Sequence, residues 1–262
     1  MIDIKTFTSL THASEAKRLL RYILLWCKNG RTDIIIDEHR FSLSENQVIT
    51  ITSGQYYQIK EISGDLVVLN FSLDFFAKND NDIELIFHNG LFCHFGMNEI
   101  VTITQPQLFH DLLYKIETEL FNKPYQYLVS EHSYIELLLV AINRTKIENG
   151  DEIWKPDALF LKFLEAVRNN YEHNYSVAHF AEIINTTQAK LNELSKLHTN
   201  KTAQNVIYSL IISEAKRYLL YTNLSVKEIA YALGFNDPFY FSNFFKKHTS
   251  KSPLDFKKEV GV

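Results

Sequence analysis

Cysteine is scarce: Cys27 and Cys93 are the only two in 262 residues. They stand far apart with no Cys-x-x-Cys, which excludes a disulfide framework and a cysteine-ligated zinc site. Buried, reduced thiols of a cytoplasmic protein are the expectation. No run of about 18 uncharged apolar residues occurs, so no membrane-spanning helix is expected. The opening MIDIKTFTSLTHASEAKRLL mixes acidic and basic residues around no apolar centre, so no signal peptide is expected. No His-x-His, GxSxG, Walker A, GxGxxG or paired-carboxylate arrangement is present. The expectation is therefore no enzyme, no metal and no cofactor. Glycine (8) and proline (5) are few and 46% of residues are hydrophobic, which excludes a low-complexity chain and leaves core material for two modest domains.

Charge is distributed unevenly. The formal net charge is −4. Residues 1–157 hold 14 Lys+Arg against 22 Asp+Glu, a balance of −8; residues 158–262 hold 13 against 9, a balance of +4. A basic C-terminal part behind an acidic N-terminal part points to a nucleic-acid face confined to the C-terminus.

That face is sought in Ser225 to Phe256, SVKEIAYALGFNDPFYFSNFFKKHTSKSPLDF. Ser225 with Glu228 three residues later is a capping-box pattern. Ile229 and Leu233 share one helical face, and Ala230 between them is small enough for a crossing helix. Gly234 supplies the left-handed residue that ends the helix. Asp237 then caps a second helix with Pro238 at its first position. Phe241 and Phe245 should pack back onto Ile229 and Leu233, leaving Phe239, Ser242, Asn243 and Lys246 outward. A short helix, a turn and a crossing helix with a polar, basic outer face are a helix-turn-helix.

Glu228, Ile229, Ala230, Leu233, Gly234, Phe235, Asp237, Tyr240, Phe241, Phe245, Lys246, Lys247, Ser252, Pro253 and Phe256 together closely resemble the second helix-turn-helix of AraC/XylS-type transcription regulators. The resemblance extends over about residues 158 to 258. The first unit precedes it as an internal repeat. Val177, Phe180, Ala181 and Ile184 stand 49 residues before Val226, Ile229, Ala230 and Leu233. Leu191, Ser195 and Lys196 stand 50 before Phe241, Phe245 and Lys246. Between the units, Asn205 to Tyr221 reads as one long helix with Ile207, Leu210, Ile211, Ala215 and Leu219 on its buried face. The first unit departs from the family in Glu193, where a basic residue is usual, Ser195, where Phe is usual, and Asn185 in place of the turn glycine. Its outward residues are Ala189, Asn192, Glu193 and Lys196. Glu193 could accept from a cytosine amino group but not contact phosphate; Asn192 and Asn243 suit adenine edges. Lys196, Lys246 and Lys247 suit phosphates, and Phe239 suits a thymine methyl.

Residues 1–105 read as mostly strand. Apolar runs at Tyr22–Trp26, Thr32–Ile36, Val48–Thr52, Tyr56–Ile59 and Leu66–Phe71 alternate with turn residues, and Asn29-Gly30 and Gly64-Asp65 fit tight hairpins. The pattern suits a sandwich or barrel and resembles the cupin-like N-terminal domain of the same family. His39, His88 and His94 are isolated, the last two near Phe87, Phe92 and Cys93, which speaks against a cupin metal centre. Asn79–Glu84, NDNDIE, lacks the glycine and closing glutamate of an EF-hand and reads as a solvated loop. Should the barrel hold a ligand, Trp26, Tyr57, Phe71 and Phe92 are the lining candidates by residue type.

Two helices follow within residues 106–148. Leu108, Leu112, Ile116 and Leu120 mark one stripe, and Leu128, Tyr134, Leu137, Leu138 and Ile142 the other. The family uses such a pair for dimerisation. Residues 149–157 read as a linker, and a helix with Leu159, Phe163 and Val167 in four-residue steps opens the C-terminal domain, 158–262, with helix-turn-helix units at 177–197 and 225–247. The expected fold class is α+β: a cupin-like β-barrel with a helical dimerisation segment, then an all-α domain of two helix-turn-helix units joined by a long helix. The resemblance implies a transcription regulator whose partners are double-stranded DNA, a second copy of the chain, RNA polymerase and a small-molecule effector, with no membrane. The competing expectations are a metal-free cupin that binds a small molecule and an interaction protein with weakened DNA binding.

Overall fold

The computed structural model describes residues 2–10, 13–92, 98–150, 156–173 and 176–259. The chain divides into two compact units, Met1–Pro156 and Asp157–Val262.

In the first unit β1 (Ile2–Leu10), β2 (Lys17–Arg18), β3 (Tyr22–Cys27), β4 (Arg31–Ile36), β5 (His39–Ser44), β6 (Gln47–Ile51), β7 (Tyr56–Phe71) and β8 (Ile100–Thr102) form one antiparallel sheet, curled into a nearly closed barrel. The closure comes from bent strands. Tyr22–Cys27 and Arg31–Ile36 run along the same β7 in nearly continuous register, from Tyr22↔Phe71 to Ile36↔Tyr57. On their other edge they run past β6 and β5 in the same way. β3 and β4 are thus two halves of one strand, bent at Asn29-Gly30, and β7 bends opposite at Gly64. Neither Asn29-Gly30 nor Gly64-Asp65 closes a hairpin, contrary to the sequence expectation. The two-residue hairpin is Asp37-Glu38, between Ile36 and its partner His39, with Asp37 at φ 49°.

The corner needs glycine on both strands. A Cβ on Gly30 would lie 1.7 Å from the Ser63 carbonyl oxygen, and one on Gly64 2.4 Å from that of Asn29; both residues have positive φ, +75° and +113°. Asn29 latches the corner, accepting from the Asp65 backbone N–H and donating to its carboxylate, both at 2.9 Å. With the Thr8 hydroxyl, this amide holds the Asp65 carboxyl below its ordinary pKa.

Strand alternation then sorts the side chains. Ile23, Leu25, Cys27, Ile34, Ile36, Ile49, Ile51, Ile59, Leu66 and Val68 form the barrel interior. Tyr22, Leu24, Trp26, Val67, Leu69 and Phe71, also buried, have the opposite parity and face the helices. These are α1 (Leu73–Phe76), α2 (Asp80–Phe87), α3 (Pro106–Asn122) and α4 (Tyr127–Glu148).

Of the four proposed ligand-lining aromatics, Tyr57 alone lies in the interior cluster. Trp26 packs on Phe109 of α3, with centroids 5.5 Å apart. Phe71 and Phe92 share an aromatic cluster with Tyr22, Phe76 and Phe87. Residue type could not separate these sites because both sheet faces are buried.

NDNDIE is not a loop but the start of α2. Asn79 Oδ1 accepts from the backbone N–H groups of Asn81 and Asp82, and Asp82 Oδ2 accepts back from those of Lys78 and Asn79, the reciprocal logic of a capping box. Both helical stripes are rotated from expectation. On α3 the buried residues are Phe109, Leu112, Leu113 and Ile116, with Leu108 40% exposed; on α4 Ile135, Leu138, Leu139 and Ile142 are buried, and Leu128 and Leu137 are about half exposed. Cys93 and His94 lie outside the described residues, as do residues 151–155 of the expected linker.

The second unit is helical: α5 (Ala158–Asn170), α6 (Val177–Ile183), α7 (Gln188–Thr199), α8 (Ala203–Tyr221), α9 (Val226–Ala232), α10 (Pro238–Thr249) and α11 (Pro253–Glu259). α8 packs against α5, α7, α9, α10 and α11, with Ile207, Leu210, Ile211, Ala215 and Leu219 buried as expected.

Candidate nucleic-acid interface

The two helix-turn-helix units repeat each other's helix caps and turn bonds. In the second, Ser225 Oγ accepts from the Glu228 N–H at 3.2 Å while Glu228 Oε2 accepts from the Ser225 N–H at 2.7 Å. The Ser225 N–H, and then the Ser225 hydroxyl, which also donates to Glu228 Oε2 at 2.7 Å, hold the Glu228 carboxyl below its ordinary pKa. α9 ends in Gly234 at φ +77°, with the Phe235 N–H bonded to the Ala230 carbonyl at 2.9 Å. In the first, Ser176 caps α6, Asn185 takes the left-handed turn at φ 55°, and the Thr186 N–H bonds the Ala181 carbonyl at 2.8 Å. Asn thus does the work of glycine at this turn. Thr187 and Asp237 then cap α7 and α10 through the N–H groups of Lys190 and Phe239.

Inside the second unit Ile229, Ala230, Leu233, Phe241 and Phe245 are fully buried. Phe245 packs on Phe241 and Phe256, with centroids 6.0 and 5.7 Å away. In the first unit Leu191 and Ser195 hold the corresponding places and are also fully buried, but the Ser195 hydroxyl has no partner among the described residues.

The outward faces differ more. On α10, Phe239 is 80% exposed, and Asn243, Lys246 and Lys247 are exposed. Among the described residues their polar side-chain groups make no hydrogen bond or ion pair, although the charge of Lys246, after the Ser252 hydrogen bonds and Lys258, helps to lower the Asp255 pKa. Ser242 is half-buried and its hydroxyl donates to the Pro238 carbonyl at 2.9 Å, so it faces its own helix. Tyr240, 63% exposed, joins this outer surface although it is not among the expected outward residues.

On α7, Ala189 and Lys196 are exposed as expected. Glu193 is exposed but accepts from Lys190 Nζ at 2.8 Å, which raises the Lys190 pKa. Asn192 is occupied at both ends. Its Oδ1 accepts from the backbone N–H of Ala203, at 3.1 Å, and its Nδ2 donates to the Gln188 carbonyl, also at 3.1 Å. Ala203 opens α8, where the first N–H groups have no intrahelical acceptor. Turning the amide outward would strand that N–H at a cost of about 1–3 kcal/mol. A bidentate adenine contact carries about 1–3 kcal/mol of discrimination between bases, no more than that loss.

The sequence contains a signal for this clamp. Fifty residues after Ala203 stands Pro253, the first residue of α11. Proline has no N–H to satisfy, and the residue in the place of Asn192 is Ser242.

Among the described residues one group of three side chains has the spacing of metal ligands: Asp82, His132 and Glu136. Two of its donor atoms are committed. His132 Nε2–H donates to the Phe76 carbonyl at 2.7 Å, and Asp82 Oδ2 takes the N–H groups at the start of α2. The trio ties α2 to α4.

Two tandem units with these caps, turns and crossing helices, braced by one long helix, define the second unit as a tandem helix-turn-helix fold. Residues 180–259 match the family model of a helix-turn-helix domain. The chain is similar to an uncharacterised HTH-type transcriptional regulator in the cgkA 5′ region of Pseudoalteromonas carrageenovora: 38% identical over 92 residues, 35% of this chain and 54% of that protein. It is also similar to the raffinose operon transcriptional regulatory protein RafR of Pediococcus pentosaceus, 30% identical over 96 residues, 37% of this chain and 35% of that protein. The chain thus spans about half or less of the length of these relatives. A ToxT structure from Vibrio cholerae covers 100% of the chain and is itself 99% covered, at 14% identity and a TM-score of 0.45, too distant to carry any inference. The second unit is an AraC-type helix-turn-helix domain. None of the described helices is long and apolar enough to cross a membrane.

Proposed function

We propose that the chain is a sequence-specific, DNA-binding transcription regulator of the cytoplasm, whose N-terminal barrel unit modulates binding. The observation that carries this is the outer face of α10. Asn243, Lys246 and Lys247 stand there exposed, with no hydrogen bond or ion pair among the described residues, beside the bare ring of Phe239. Solvent-exposed cations flanking a free amide are what a helix in the major groove requires: the lysines meet phosphates and the amide a base edge. On α7, Ala189, Glu193 and Lys196 face the same way. RNA polymerase is the further partner of such a regulator, and a small-molecule effector on the barrel unit would act by binding two states of the protein unequally.

Substitution separates the two kinds of contact. Lys246→Ala should weaken binding to all duplexes alike and lower the slope of log K against log salt by about 1. Asn243→Ala should flatten preference at one base pair, about 1–3 kcal/mol of discrimination. If neither moves binding measured by fluorescence anisotropy, α10 is not the reading helix.

The reading includes a homodimer through α3 and α4. Tyr114, Phe121, Tyr125, Leu128, Val129 and Leu137 of this hairpin and its loop are 48–92% exposed, an apolar surface of the kind that marks an interaction site. Sedimentation should give a dimer that Leu128→Asp with Leu137→Asp dissociates; an undisturbed dimer places the interface elsewhere.

A further inference from the structure

We propose that base recognition in this protein is confined to α10, and that the first helix-turn-helix unit grips only the DNA backbone. Asn192 would then be a positioning residue for α8. The inference rests on the DNA-binding reading above and refines it. In the repeat Asn192 stands where Ser242 stands, Glu193 where Asn243 stands, and Ala203 where Pro253 stands. The side-chain amide of Asn192 is spent on the Ala203 N–H and the Gln188 carbonyl. Glu193 is turned to Lys190, and its charge beside a phosphate backbone opposes release. Ala189 has a methyl group and no polar atom to offer. Of the four expected outward residues of α7, Lys196 remains, exposed, and a lysine at a phosphate carries no sequence information. On α10 Pro253 has no N–H that would require an acceptor; Ser242, in the place of Asn192, bonds its own helix, and Asn243, in the place of Glu193, is exposed and makes no hydrogen bond among the described residues.

For each protomer the operator should therefore carry its information in one block of a few base pairs, with a second, unread contact about one helical turn away. The test is enrichment of the full chain on a randomised duplex pool, followed by sequencing, for the natural protein, Asn192→Ala and Ala203→Pro. Wild type should give one informative block per protomer. Asn192→Ala should leave that block unchanged while lowering thermal stability. Ala203→Pro keeps a residue suited to the first position of a helix, behind Thr202 in extended conformation at φ −69°, ψ 156°. It frees the Asn192 amide, so a second block preferring adenine by about tenfold should appear.

Two informative blocks per protomer in wild type, one of them abolished by Asn192→Ala, would overturn the inference and leave the DNA-binding reading standing. A single block that persists unaltered in folded Ala203→Pro would overturn the role assigned to the Ala203 N–H. Absence of salt-sensitive binding to any duplex would remove the DNA-binding reading, and this inference with it.

Discussion

Ser195 is fully buried and its hydroxyl has no partner among the described residues, whereas Phe245 in the second unit fills the same place with a ring that touches two others. An unpaired buried hydroxyl costs about 1–3 kcal/mol. Ser195→Ala removes the polar atom with little loss of volume and should raise stability by about 1 kcal/mol in urea unfolding; a loss of that size would show that the hydroxyl is satisfied in solution. The place of Ser195 was legible in the sequence through the fifty-residue offset to Phe245. The role of Asn192 was not, because it depends on a backbone N–H eleven positions on, which no side-chain pattern reports. The offset from Ala203 to Pro253 was available and would have exposed it.

At the scale of elements, caps and turns were the most legible features. Ser225 with Glu228, Gly234, Asp237 with Pro238 and the left-handed Asn185 each follow from local backbone needs, and all appear as expected. The bent barrel strands did not follow. Asn29-Gly30 has the composition of a hairpin turn, and only the long-range register reveals that it faces Gly64 across a corner. The α3 and α4 stripes were misplaced because apolar residues occur on more than one side of each helix, so spacing alone leaves the buried face undecided.

The same hairpin holds a carboxyl that sets a pH dependence. Glu131 on α4 is fully buried with neither oxygen bonded among the described residues. Burial first, and then the charge of Glu119, push its pKa from 4.5 to about 8. The folded state therefore holds a proton that the unfolded chain releases above pH 4.5. Stability is full below that pH and falls as pH rises through the interval up to about 8. Glu131→Gln should flatten that fall, and its advantage over wild type at pH 8 relative to pH 5 should be about 2–4 kcal/mol. Thermal melts at the two pH values measure it. Parallel curves for the two proteins would mean that Glu131 is already ionised in the folded state.

For the whole molecule, the split of charge between −8 in residues 1–157 and +4 in residues 158–262 agrees with a division into two units at Pro156/Asp157. Composition and repeats point to the C-terminal domain, since its caps, turns and buried helix contacts recur at a fixed offset. The barrel unit was less legible, since its interior and its helix-facing side are equally apolar and residue type assigns Trp26 and Tyr57 alike. In the proposed regulator the acidic unit keeps the protein from binding DNA all over its surface, while the basic unit meets the duplex at α10.

The central claim is that α10 reads DNA. Its most direct test is the affinity of the full-length protein for an enriched duplex across a salt series. Binding should be tight at low salt and fall linearly on a log–log plot with a slope set by several phosphate contacts, shallower by about 1 in Lys246→Ala. A slope near zero, or no binding at the lowest salt, would contradict it.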